Sequence, residues 1–441
     1  MLDGQPQIRE LPPITGSTDT RDYLHAAAKQ AIAHDDYELI VDMDAHLQEK
    51  GFWPDVLSFL ENDVLKYTAD NMMNVSATPL INTQPGLTFQ ALSGRIPHQH
   101  GQGSEALDRT NGVHPFVQVV RRCIDTLGID YQVIFPTNML HLGMNPMEGV
   151  EVHLARAYCR WLTERILPED ERILGLIYLP LNSIEECYNL IKKYAHNPRM
   201  VGFTICSVRH TPIHDNSYMR LYSMIEETGK PLCFHAGPHW DDPSFSQLNR
   251  FISMHALSFV HYNMIHMTNW VINALPERFP KMKVLWVESG LAWVPFLMQR
   301  LDHEVLMRQS EAPGLKKLPS DYMRDMYYSS QPLERSDMVL TKATFERINA
   351  ESQLLYASDW PHWDFDTPST ISTLPFLSDQ GKRNILGLNA AKVFNLPVKR
   401  LRPRARDVLT EHIPYTQSDA SGVSRASPEL TRAAVGVGVP T

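Results

Sequence analysis

RILGLIYLPLNSIEECYNLIKKYAHNPRMVGFTICS (172–207) contains the repeating unit of the fold. It opens on an unbroken apolar run, RILGLIYLP. It then passes through SIEECYNLIKKYA (183–195), where apolar residues recur at helical spacing, and ends in a second apolar run, MVGFTICS. Runs without polar alternation suit strands covered on both faces, and a helix between two of them is the crossover a parallel pair requires. Ser183 and Glu186 have the spacing of a capping box, which predicts the helix start. The same unit recurs in both directions. Strands are expected to begin near 38, 131, 172, 200, 231, 283, 326 and 353. Helices are expected over 149–166, 183–195, 217–229 (closed by Gly229), 247–275 and 293–307. Eight such units predict an α/β fold, a closed (β/α)8 TIM barrel, with a doubly wound open sheet as the rival.

The barrel is expected to span 38–395. Residues 1–37 read as an N-terminal arm with a short helix over 21–34. Residues 396–441, rich in Ser, Ala, Gly, Pro and Arg, read as a C-terminal extension, either disordered or laid over a neighbouring subunit. From about 70 to 112, prolines and glycines interrupt every periodic pattern. That length is unusual for a plain connection and predicts a structured insertion or lid after the first strand.

Composition narrows the function. The 441 residues are 43% hydrophobic and 21% charged, ordinary for a globular protein. A net charge of −9 disfavours a generic nucleic-acid grip. The five cysteines, Cys123, Cys159, Cys187, Cys206 and Cys233, lie far apart without metal-knuckle spacing, which suits a reduced, cytoplasmic protein. The opening MLDGQPQIRE lacks the pattern of a secretory signal, and no apolar run approaches the roughly 20 residues of a membrane helix. A small-molecule substrate is therefore expected, with neither nucleic acid nor membrane as partner. The arm and extension suggest a homo-oligomer, or pairing with a related subunit.

The strand ends carry the chemistry. ELIVDMDAH (38–46) delivers Asp42, Asp44 and His46; PLCFHAG (231–237) delivers His235; KVLWVESG (283–290) delivers Glu288; QLLYASD (353–359) delivers Asp359. In a barrel these ends meet on one face. Histidine nitrogens and carboxylate oxygens are ligands for Zn2+, Mn2+ or Fe2+. Asp44 and His46 share a side of an ideal strand, and Asp42 has the same parity but lies deeper. Each residue also has a plainer reading: Asp44-x-His46 as a surface loop, His235 bonded to a backbone carbonyl, Glu288 paired with an arginine, Asp359 as a turn residue before Pro361. His239 sits four residues after His235 and is either a substrate-carboxylate contact or a loop histidine. His261 and His266 share no face of a regular helix, so only a break between them would bring His266 to the site. His362 follows Asp359 closely enough to support the ligands. Trp240, Trp293, Trp360 and Trp363 either wall a pocket or pack rim loops.

IVDMDAHLQE (40–49), LCFHAGPHW (232–240), LPERFPKMKVLWVESGLAWVPFLMQRLD (275–302) and LLYASDWPHWDFDTP (354–368) together resemble the metal-dependent amidohydrolase superfamily, in the branch that contains aminocarboxymuconate-semialdehyde decarboxylase and resorcylate-type decarboxylases. The resemblance covers most of 38–395 and implies a barrel with a divalent metal on its rim. It maps the first-strand carboxylate-x-His onto Asp44 and His46, the fifth-strand metal histidine onto His235, and the eighth-strand aspartate onto Asp359. Where many members carry a sixth-strand histidine, this chain has Glu288. A carboxylate there can be a base or bridge a second metal, but cannot act as an imidazolium.

The resemblance implies a hydrolase or nonoxidative decarboxylase of a small carboxylate-bearing substrate. Its metal ligands would come from Asp44, His46, His235, Asp359 and Glu288, and its catalytic groups from Glu288, Asp359 and His239. Zn2+ is the first expectation, Mn2+ or Fe2+ the alternatives, as one ion or two. The rival functions are a dinuclear Mn/Fe oxygen-activating monooxygenase subunit and a noncatalytic, metal-containing partner subunit.

Overall fold

The computed structural model describes residues 24, 27–47, 49–72, 110–145, 147–206, 211–235, 237, 242, 244–245, 247–248 and 250–405. Most of the expected insertion, His239 and Trp240, and most of the arm and extension lie outside these residues.

Eight strands form one parallel sheet in chain order: β1 (Val41–Leu47), β2 (Tyr131–Pro136), β3 (Ile173–Tyr178), β4 (Met200–Ile205), β5 (Leu232–His235), β6 (Val284–Val287), β7 (Tyr327–Ser329) and β8 (Leu354–Leu355). Hydrogen bonds between β1 and the chain leaving β8 close the ring. Met43 N donates to Tyr356 O (3.0 Å), His46 N to Trp360 O (2.7 Å), and Asp359 N to Asp44 O (2.7 Å). The eight predicted runs are thus eight strands of a (β/α)8 barrel, not an open sheet.

Alternation along the strands separates two cores. Val41, Met43, Val133, Leu176, Cys233, Leu285, Val287, Leu355 and Ala357 fill the barrel. Ile40, Ile134, Ile177, Phe234, Trp286 and Tyr356 face the helical layer. That layer includes α1 (Glu49–Ser58), α2 (Asp63–Met72), α3 (Pro115–Leu127), α4 (Glu148–Trp161), α5 (Ile184–Tyr194), α6 (Met219–Thr228), α7 (Phe251–Ile272), α8 (Trp293–Met307) and α9 (Met338–Arg347). α3 shows how sequence sets such an element. His114 caps its first turn by accepting from Phe116 N (3.1 Å), Pro115 occupies a position that needs no amide, and Phe116, Val117, Val120, Ile124 and Leu127 are buried. α6 ends at Gly229 with φ 67°, as its sequence predicts. The capping box of α5 does not form. Ser183 makes no side-chain cap, and Glu186 instead takes two hydrogen bonds from Arg156 (2.7 and 2.5 Å). A bidentate charged pair outbids a neutral cap.

Beyond the barrel, the chain folds back beneath β2. Arg402, 4% exposed, pairs with Asp130 and donates to Tyr37 O (2.7 Å). Asp130 also accepts from the amides of Ile40, Leu401 and Arg402. Among the described residues, no helix is long and apolar enough to cross a membrane.

Candidate metal centre

His235 ends β5 with the parity of Cys233, so it points into the barrel. β1 reaches the same space by an irregular route. Its register against β2 shifts between Asp42 and Ala45. The extra residue of a bulge reverses alternation beyond it. Val41 and Met43 lie in the inner core, whereas Ala45 and Leu47 lie in the outer one. Asp44 and His46 therefore face inward, but Asp42 does not share their face, which corrects the parity expectation. Asp42 turns outward, accepting from Ser358 N (2.7 Å), Ser358 Oγ (2.5 Å) and Gln132 Nε2 (2.7 Å), and so ties the ends of β1 and β8 together. Burial pushes its carboxyl up to about 7 despite those bonds.

Glu288 reaches the centre in a different way. Val284 and Trp286 face outward, so simple alternation would send Glu288 out as well. Its φ of 49° turns it inward instead. Ser329 Oγ accepts the Glu288 amide (2.9 Å), and Asn263 Nδ2 grips Val287 O (3.1 Å) and Ser289 Oγ (3.0 Å). The turn continues through Gly290 at φ 65°, where a Cβ would collide with Glu334; Glu334 Oε2 accepts from Leu291 N (2.9 Å). Asp359 is also left-handed, at φ 61°. Two non-glycine residues held there, each at a cost of order 1–3 kcal/mol, are the kind of strain that functional sites store.

The result is a compact buried cluster. His46 Nε2 lies 3.3 Å from Asp44 Oδ1, 3.1 Å from Asp359 Oδ1 and 3.5 Å from Glu288 Oε2. His235 Nε2 lies 3.0 Å from Glu288 Oε2 and 3.7 Å from Asp44 Oδ1. Among the described residues, no hydrogen bond of proper geometry reaches either Asp44 oxygen, His46 Nε2, Glu288 Oε2 or Asp359 Oδ2. Unpaired atoms of that kind are costly in a protein interior. Asp44, His46, His235 and Glu288 form one potential ligand group, and His46, Glu288, Asp359 and His362 a second that overlaps it. The residues fit a divalent ion: imidazole nitrogens and carboxylate oxygens, buried and converging on one another.

The charges in the cluster set one another's protonation. Burial alone would lower His235, but contacts with Asp44 and Glu288 outweigh it and push it up to about 9; His46 is raised for the same reasons by Asp359, Asp44 and Glu288. Burial would raise Asp44 and Glu288, yet the two histidines hold both below the usual carboxylate range. Asp359 goes up, through burial and the neighbouring Glu288 charge. Protons thus hold together groups that a cation would otherwise join, and metal binding would release them.

Five sequence-predicted residues come together here: Asp44, His46, His235, Glu288 and Asp359. His266 does not join them. α7 runs unbroken from Phe251 to Ile272, and His266 packs on Phe234 in the outer layer (ring centroids 5.7 Å apart), where burial lowers it to about 4. Among the described residues, Trp293, Trp360 and Trp363 form no single wall. Trp293 donates to Gly290 O (3.1 Å), Trp360 packs on Phe365, and Trp363 meets His255. His362 does reach the centre, with Nδ1 2.6 Å from Asp359 Oδ1. The residue missed by sequence reading is Thr137, whose Oγ1 lies 3.0 Å from His46 Nδ1 and 3.2 Å from His362 Nε2. It follows the apolar run YQVIFP, so the strand-end rule that picked out His235 could have found it.

The profile of the amidohydrolase family matches residues 114–396, more than half of the chain. No curated protein sequence matches. The barrel is similar to the 5-carboxyvanillate decarboxylase of Sphingomonas paucimobilis (19% identity, TM-score 0.56, 81% of this chain and 99% of that one). It is also similar to a dihydroxybenzoic acid decarboxylase of Polaromonas, solved with manganese and 2-nitroresorcinol (16%, 0.54, 81% and 97%), and to the 2,6-dihydroxybenzoate decarboxylase of Rhizobium (17%, 0.51, 62% and 86%).

Proposed function

The chain belongs to the amidohydrolase family, and on that premise we propose that it is a metal-dependent hydrolase or carboxy-lyase acting on a small, carboxylate-bearing substrate. The observation that carries this reading is the convergence of Asp44, His46, His235, Glu288 and Asp359 at one end of the barrel, all buried, with both Asp44 oxygens, His46 Nε2, Glu288 Oε2 and Asp359 Oδ2 lacking a hydrogen bond among the described residues. Those five residues would hold the ion. Zn2+ suits the mixed nitrogen and oxygen set; Mn2+ and Fe2+ suit it as well. A bound divalent ion would supply Lewis acidity, polarising a substrate oxygen or lowering the pKa of a water.

The protein's own residues do the rest. Glu288, fixed by Ser329 and Asn263 in a strained backbone, is the carboxylate nearest His235. We assign it proton transfer: it accepts a proton from the attacking water in hydrolysis, or, in decarboxylation, takes one from water and passes it to the carbon that loses carboxylate. Asp359 shares that task, with His362 holding its Oδ1. Phe135, whose ring centroid is 5.0 Å from that of His235, gives the centre an apolar flank. The decarboxylase names of the solved relatives favour loss of carbon dioxide from an aromatic acid. His239 is proposed to meet the substrate carboxylate.

Incubating metal-loaded protein with a panel of hydroxybenzoates and with amide or lactone substrates in 18O-water tests this. Carbon dioxide release identifies a carboxy-lyase and 18O in the product a hydrolase. Turnover of neither class by protein with a full metal complement would contradict the proposal.

A further inference from the structure

Thr137 stands where β2 gives way to its rim loop, and its hydroxyl lies between two histidines. Oγ1 is 3.0 Å from His46 Nδ1 and 3.2 Å from His362 Nε2. The two imidazoles lie against each other, centroids 4.2 Å apart and planes 32° from parallel. His362 Nδ1 in turn is 2.6 Å from Asp359 Oδ1. The four side chains form a ring that closes where His46 Nε2 meets Asp359 Oδ1 at 3.1 Å.

With neutral imidazoles and an ionised Asp359, the state in which these groups can ligate, only one placement of protons satisfies the three hydrogen bonds that Thr137 and His362 make in this ring. A carboxylate accepts, so the short contact to Asp359 requires the proton of His362 on Nδ1. His362 Nε2 is then bare and must accept, and the hydroxyl proton of Thr137 is the one aimed at it. With that proton committed, Thr137 Oγ1 can only accept from His46, which places the His46 proton on Nδ1. His46 Nε2 is left bare, and so is Asp359 Oδ2; both are atoms that no hydrogen bond from the described residues reaches. The opposite arrangement would put a proton on His46 Nε2, among three carboxylates and where an ion would bind. It would also set a bare His362 nitrogen against a carboxylate oxygen.

We propose that Thr137 is a positioning residue of the metal centre: its hydroxyl fixes the tautomer of His46 and, through His362, the oxygen that Asp359 presents to the ion. The inference rests on the metal-centre reading above and adds what prepares two of its ligands. Hydrogen bonds to the far side of a ligating histidine set its orientation and basicity, and their loss typically costs 10–100-fold in metal affinity.

The test compares full-length wild type with Thr137→Val, which keeps the shape without the hydroxyl, and Thr137→Ser, which keeps the hydroxyl. Each is stripped with a chelator and titrated with Zn2+ against a chromophoric competitor. Valine is expected to weaken zinc binding 10–100-fold and serine to bind within about threefold of wild type, with circular dichroism and the melting temperature of the metal-free proteins unchanged. Nitrogen-15 NMR of the zinc-loaded wild type is expected to show His46 protonated at Nδ1. Valine binding as tightly as wild type, serine failing as badly as valine, or a His46 proton on Nε2 would each overturn the inference. Should valine disturb folding, the serine variant and the wild-type tautomer still decide. A wild type that takes up no zinc overturns the metal-centre reading as well, whereas tight wild-type binding matched by valine overturns only the role of Thr137.

Discussion

Glu151 sits in the first turn of α4 at 1% exposure, and its Oε2 accepts from Asn182 Nδ2 (2.7 Å). Asn182 also donates to Gly143 O (3.1 Å), so the pair ties α4 and the loop after β3 to the loop that begins at Thr137. Burial pushes the Glu151 carboxyl from 4.5 up to about 8, outweighing the opposing hydrogen bond. The native state therefore keeps a proton that the unfolded chain loses above pH 4.5. That contribution is fully present below pH 4.5 and is lost as pH rises through 8. Each unit in that window costs about 1.36 kcal/mol, a ceiling of roughly 3 kcal/mol by pH 7. Glu151→Gln keeps an oxygen for Asn182 and has no proton to lose. It should be indistinguishable from wild type near pH 4.5 and more stable by about 1–3 kcal/mol at pH 7–8. Urea denaturation of both proteins at half-unit steps from pH 4.5 to 8 reads the difference, in which the titration of the metal-site residues cancels. A difference that stays flat across this window would mean that Glu151 is ionised in the native protein and the reasoning is wrong.

Glu288→Gln should keep its metal and lose turnover by about 100-fold or more, because it retains shape without the base; unchanged turnover on the substrate found by the panel would remove Glu288 from the chemistry. Arg402→Ala leaves Asp130 buried with only backbone amides as partners. It should cost roughly 3–5 kcal/mol, read as a lower denaturation midpoint, and a loss under about 1 kcal/mol would show that the pair under the barrel is dispensable. The protein is expected to be a homo-oligomer, and light scattering at the monomer mass across micromolar concentrations would refute that.

The barrel was legible because its strands are buried on both faces, so each appears as a continuous apolar run whose end is marked by the first polar residue. That rule alone located His235 and Asp359. It located Glu288 for an incomplete reason: alternation from Trp286 points it outward, and only the left-handed backbone, supported by Ser329, Asn263 and Glu334 from elsewhere in the chain, brings it in. Asp42 was misjudged because the bulge between Asp42 and Ala45 depends on pairing with β2, which no local pattern encodes. Thr137 has no motif of its own; its role comes from His46 and His362, which are distant from it in sequence. Ser183 and Glu186 had the right spacing for a cap, but Arg156 on the neighbouring helix was out of view.

Metal analysis of protein purified without added metal, wild type beside His235→Ala and Asp359→Ala, tests the central claim most directly. The metal centre predicts a divalent ion in the wild type and its loss from both variants. A full complement of metal in both variants, or none in the wild type, would contradict it.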